Sequence, residues 1–113
     1  MKTIASFALA ALLATQTLAH SKVSDTTPAD GAVVTQPTTS IDFTFSKAIR
    51  LTVVKLSPQK GSEIKLDLRA HTTFEQEFSL PVQRLDPGDY RVEWRGLGLD
   101  GHPMRGAFSF SVE

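Results

Sequence analysis

Asp86-Pro87-Gly88-Asp89-Tyr90-Arg91-Val92-Glu93-Trp94 reads as a tight turn running into a strand. Proline presets φ and the glycine after it tolerates positive φ, so the first four residues reverse the chain. Tyr90, Val92 and Trp94 then alternate with Arg91 and Glu93, which puts three large side chains on one face and the charges on the other. The same period of two recurs on both sides. Downstream, Phe108, Phe110 and Val112 share one face of a closing strand. Upstream, Ile41-Asp42-Phe43-Thr44-Phe45 alternates, and Leu51 to Leu56 is rich in β-branched residues and ends at Ser57-Pro58. Glu63 to Leu68 alternates strictly, and Phe74 to Leu80 more loosely before Pro81. A short opening strand is expected over Lys22 to Thr26, closed by Thr27-Pro28-Ala29-Asp30-Gly31. About seven short strands with turn signals between them predict an all-β domain, a small two-sheet sandwich or Greek-key barrel. Strand periodicity assigns the aromatic stripes to the core and leaves few for a binding platform.

The first residues read as a leader. Lys2 and the initiator amine make a positive start, an apolar run extends from Ile4 to Leu13, and Thr17 and Ala19 supply the small-x-small pattern before His20. The run is shorter than the roughly 20 residues that span a bilayer as a helix, so residues 1–19 are expected to be a cleaved signal peptide rather than an anchor. Residues 20–113 are then expected to be one exported domain, in the periplasm. The chain carries 12 basic and 12 acidic side chains and no cysteine. Such a balance gives no footprint for nucleic acid, and thiolate metal sites are excluded. Any metal must find nitrogen or oxygen donors, or Met104.

Cleavage after Ala19 would give His20 a free α-amine, which with the imidazole Nδ1 closes a six-membered chelate ring. Metal binding must displace the proton of an amine of pKa about 7.7–8.0, which favours a strongly Lewis-acidic ion. Among common divalent ions Cu(II) binds nitrogen most tightly. The competing reading is a cut that happens to precede an ordinary histidine. Further on, Asp100-Gly101-His102 places two donors two residues apart, on the same side of an extended segment. Its competitor is a polar hairpin loop in which Asp100 caps a turn and His102 is merely exposed. Gly96, Gly98 and Gly101 suggest a flexible connection there. Taken together, one amine, two imidazoles and one carboxylate form an N3O set that suits tetragonal Cu(II).

These residues resemble the CopC family of periplasmic copper-binding proteins, which includes YobA-like members. The resemblance rests on His20-Ser-Lys-Val-Ser-Asp-Thr-Thr-Pro-Ala-Asp-Gly, Ile41-Asp-Phe-Thr-Phe-Ser, Leu85-Asp-Pro-Gly-Asp-Tyr-Arg-Val-Glu-Trp-Arg and Asp100-Gly-His-Pro-Met-Arg-Gly-Ala-Phe-Ser-Phe-Ser-Val. It implies an Ig-like Greek-key β-barrel that holds one Cu(II) through His20, Asp100 and His102. It also implies a role in copper homeostasis or resistance and an inner-membrane copper-transport partner of the CopD kind. A monomer is expected.

Two departures stand out. Some members carry a methionine-rich Cu(I) loop, whereas Val53 to Phe74 contains no methionine, so a Cu(II)-only protein is expected. Some place a glutamate after the Phe-x-Phe-Ser strand, where this chain has Lys47, whose ammonium would repel the ion unless it points into solvent. His71 is expected to be a solvated loop histidine, with a second weak metal ligand as the alternative. Glu75 and Glu77 read as a solvated strand edge. No catalytic residues are expected. The competing enzyme reading is a copper-dependent oxidase of the lytic polysaccharide monooxygenase kind, whose centre also uses an N-terminal histidine chelate. A third reading is a metal-free adhesion or chaperone-like sandwich.

Overall fold

The computed structural model describes residues 23–113, so the expected signal segment 1–19 and His20 lie outside the described residues. Seven strands follow one another: β1 (Val23–Thr27), β2 (Val33–Val34), β3 (Ser40–Pro58), β4 (Ile64–Lys65), β5 (Glu75–Pro81), β6 (Gly88–Gly98) and β7 (Pro103–Val112). No helix occurs among the described residues.

The organising element is β3. Its first half, Ser40–Thr44, pairs antiparallel with β5 on one edge and β1 on the other. Its second half, Ile49–Pro58, pairs antiparallel with β6, which continues to β7 and, in parallel, β2. The strand thus starts in one layer and ends in the other. Between them the register breaks at Thr44/Ile49, and Gln76 Nε2 donates to the Phe45 and Ser46 carbonyls there, at 3.3 Å each. A second irregularity between Leu51 and Val53 shifts the buried set from Ile41, Phe43, Phe45, Ile49 and Leu51 to Val54 and Leu56. A bulge does this because side-chain direction has a period of two.

The core lies between the layers. Phe43 and Phe45 meet the Trp94 ring edge-on at centroid distances of 6.4 and 5.1 Å, and Phe43 meets Phe108 at 5.8 Å. None of these residues are ladder neighbours, so the contacts cross the sandwich. Tyr90, Val92, Trp94, Phe108, Phe110 and Val112 are all buried, as their alternation predicts. Burying such aromatic residues contributes much of the stability, on the order of 25 cal/mol per Å² of apolar surface. Phe74 is the exposed aromatic among the described residues. Before β6, the buried Tyr90 hydroxyl donates to the Asp86 carbonyl at 2.5 Å and ties the turn to the strand, as a tyrosine corner does in Ig-like sandwiches.

Several local expectations are corrected. Ile41–Phe45 and Leu51–Leu56 are one strand, because no turn residue separates them and a bulge suffices to change layers. Glu63–Leu68 contributes only the two-residue β4: Leu66 is buried and Leu68 packs against the core, but Ile64 is 45% exposed and has nothing to pack against. β2 was not expected; it forms because the turn at Ala29–Gly31 docks on β7, with the Ser109 N–H donating to Asp30 Oδ1 at 3.0 Å and the Gly31 N–H to the Ser109 carbonyl at 2.7 Å.

Candidate metal centre

Gly96 and Gly98 are not part of a flexible connection. Both are buried within β6, and a Cβ at Gly96 would lie 2.8 Å from the Arg50 carbonyl oxygen, a distance no side chain tolerates. What remains is a short hairpin turn. The Gly101 N–H donates to the Gly98 carbonyl and the Gly98 N–H to the His102 carbonyl, each at 2.9 Å. Gly101 has φ +84°, so a turn followed by a left-handed residue closes the hairpin, the arrangement in which glycine is favoured.

This turn brings Asp100 and His102 together, though by turn geometry rather than by extended spacing. Asp100 Oδ1 accepts the His102 backbone N–H at 3.0 Å, and Asp100 Oδ2 lies 2.7 Å from His102 Nδ1. The turn-capping role of Asp100 and its pairing with the imidazole therefore hold at once. Both side chains are well exposed, 68% for Asp100 and 80% for His102. The His102 side-chain hydrogen bond, reinforced by its backbone N–H, holds the Asp100 carboxyl below the usual carboxylate range. An ionised carboxylate only accepts, so Nδ1 is the donor in this contact. Two further lone-pair positions on the carboxylate stay open, since each oxygen has two and one bond engages each. An ion touching both residues would replace the Asp100–His102 bond, and the exposed imidazole is free to turn for that purpose.

The third expected donor, His20, lies outside the described residues, and no group of three potential ligands occurs among them. The topology nevertheless fixes where the described chain starts. Val23 is in register with Phe45, and Ile49, four residues further along the same strand, is in register with Gly98 at the base of the Asp100 turn. β1 thus begins at the end of the sandwich that carries the turn. Lys47 lies between those two positions and is exposed, pointing to solvent as one of the two expected alternatives required. Met104 is buried in the core.

His71 is not a solvated loop histidine. It is half-buried, its ring 5.6 Å from that of Phe78 and its Nδ1 3.4 Å from Glu75 Oε1. Glu75 also accepts from Thr73 Oγ1 at 3.4 Å, so the pairing of Glu75 with Glu77 as one solvated edge does not hold. The sequence signal missed here is the i, i+4 spacing of His71 and Glu75 ahead of an apolar strand.

Residues 23–113 match the CopC domain family. Copper resistance protein C of Xanthomonas campestris pv. juglandis is 29% identical over 113 residues, covering 92% of this chain and 88% of that protein. Protein YobA of Escherichia coli K12 is 29% identical over 99 residues, covering 84% and 80%. Among solved structures, CopC from Methylosinus trichosporium OB3b superposes with a TM-score of 0.69 at 21% identity, covering 83% of this chain and 94% of that one. PcoC, a methionine-rich copper resistance protein from Escherichia coli, gives 0.62 at 25% identity, covering 84% and 100%. The fold is thus the β-sandwich of these proteins.

Proposed function

Since the chain belongs to the CopC family, we propose that it is a periplasmic copper-resistance protein that carries one Cu(II) ion as cargo, exported by a signal peptide of residues 1–19. The donors in this reading are the α-amine and imidazole of His20, the imidazole of His102 and the carboxylate of Asp100. The observation that carries it is the shared strand: Val23 and Gly98 lie against β3 only four residues apart. His20 is three residues before Val23, within about 10 Å of it by chain length alone. A mixed set of nitrogen and oxygen donors fits Cu(II), and two of the similar proteins bear the name copper resistance protein.

Cu(I) is not part of this proposal. A thioether site needs several soft ligands, and the single methionine of residues 20–113, Met104, is buried. Exchange of the ion with an inner-membrane transporter, and action as a monomer, complete the reading.

The test is the first residue. Protein beginning at His20 is expected to bind one Cu(II) with a type-2 paramagnetic-resonance spectrum showing nitrogen coupling. One extra residue before His20 should abolish tight binding; unchanged affinity would show that the amine is no ligand. Oxidised sugars formed from a polysaccharide with ascorbate and peroxide would instead favour the monooxygenase.

A further inference from the structure

The chain is neutral overall, but its two outer faces are not. On the layer formed by β1, the start of β3 and β5, the outward rows read Asp25–Thr44–Glu77 and Thr27–Asp42–Ser79, with three carboxylates and no cation. On the opposite layer the rows read Asp89–Ser111, Ser57–Arg91–Ser109, Lys65–Lys55–Glu93–Ala107, Val53–Arg95–Arg105 and Arg50–Leu97–Pro103. Six cations face two carboxylates there.

Both carboxylates, Asp89 and Glu93, lie in one half of the face. Glu93 Oε2 lies 3.7 Å from Arg91 Nε and in register with Lys55, whose ammonium is also 3.8 Å from Glu63. Arg50, Arg95 and Arg105 make no ion pair among the described residues and are exposed. Arg95 and Arg105 are directly opposite across β6 and β7, a position in which like charges destabilise a sheet. They also flank the hairpin whose turn carries Asp100 and His102. The chain thus keeps a repulsive arginine cluster beside its metal donors.

We propose that Arg50, Arg95 and Arg105 form a docking face for the acidic surface of the protein that exchanges the ion at Asp100 and His102. The existence of such an exchange rests on the function proposed above; the charge of the face does not. A three-strand surface is broad and suits a macromolecule, and the rigid guanidinium forks match carboxylates bidentately. A membrane fits less well: each cation near an anionic leaflet strengthens binding only about fivefold, so three arginines hold a domain weakly. Facing an acidic partner, the same three charges both relieve the Arg95–Arg105 repulsion and orient the turn toward the partner's own ligands.

The test uses isotope-labelled, metal-free protein starting at His20, titrated with a peptide of six glutamates alternating with serines and with its glutamine counterpart. The glutamate peptide is expected to shift the amides of Arg50, Arg95, Leu97 and Arg105, saturating at roughly tenfold lower concentration than the glutamine peptide. The preference should vanish at about 0.5 M salt and in Arg95→Gln/Arg105→Gln, and persist in Arg91→Gln. Shifts spread over the surface, or a preference that survives the double substitution, overturn the proposal. So does a stronger response to phosphatidylglycerol vesicles, or concentration-dependent shifts at Asp25 and Glu77 that mark a second copy as the occupant. Cu(II) loading of the same proteins is measured separately: normal loading without peptide selectivity sinks the docking face alone, and selectivity without loading sinks the copper reading alone.

Discussion

Trp94 covers Gly106. The two are in register across β6 and β7, and a Cβ at Gly106 would fall 2.7 Å from the indole Nε1 and 2.9 Å from Cε2. The ring therefore lies on the backbone of the facing strand, while its other contacts, with Phe43 and Phe45, reach the opposite layer. One indole fastens the hairpin that carries Asp100 and His102 to the rest of the sandwich.

Gly106→Ala should consequently be costly for so small a change. The contact is with a packed aromatic ring, not the end of a flexible chain, so a loss of about 1–3 kcal/mol is expected. Urea unfolding followed by Trp94 fluorescence measures it, and a change under a few tenths would mean that the ring moves freely.

The Asp100–His102 pair predicts a titration. Because His102 donors stabilise the ionised carboxylate, Asp100 should titrate below its ordinary 3.8 in the folded, metal-free protein. A depressed folded value means that the contribution of the pair to stability is present above 3.8 and is lost as pH falls through the lower value. Carboxyl carbon shifts report it directly. His102→Ala should return Asp100 most of the way to 3.8, since the side-chain bond is the largest cause; an unchanged midpoint would refute the pairing. Asp67, bonded to Arg69, should titrate at about 2 in the same experiment and be unaffected.

Lys47→Glu tests charge near the proposed cargo. Lys47 is exposed between the β3 positions that meet Val23 and Gly98, so its replacement by a carboxylate should tighten Cu(II) binding. A severalfold gain at low salt, disappearing at about 0.5 M, is the expected pattern for a solvent-exposed charge. A gain independent of salt would mean that the glutamate coordinates.

Tyr90→Phe removes only the hydroxyl that ties β6 to the Asp86 carbonyl. The loss should be about 1 kcal/mol, the net worth of one hydrogen bond, seen as a lower thermal midpoint with the ring packing on Phe110 preserved. Burial first, and the nearby Asp86 charge second, push the Tyr90 phenol above its ordinary value. Ultraviolet titration should therefore show this single tyrosine ionising late.

Much of this architecture is legible as alternation. Phe43, Tyr90, Val92, Trp94, Phe108 and Phe110 are core because a two-residue period has one buried face, and that holds whatever the neighbours are. The course of β3 is not legible in this way. Whether Ile41–Phe45 and Leu51–Leu56 form two strands or one depends on a bulge held by Gln76, thirty residues away. Ile64 fails for the same reason: its pattern is local, and no opposing surface exists to bury it. At the candidate site, the D-x-H spacing picked out Asp100 and His102 as candidate donors, but their contact comes from a left-handed glycine and an Asx-type bond to His102. The arginine cluster was hidden by net charge, which sums over faces that only strand register separates.

Because β3 belongs to both layers, neither layer has a complete set of ladder bonds without it. Opening one layer must tear the strand that the other relies on, so the domain should exchange its amide protons through one global event rather than layer by layer. The strand start opposite Val23 and the turn base opposite Gly98 would then gain protection together when an ion bridges them, and Ile49 is the amide at which that coupling is to be read.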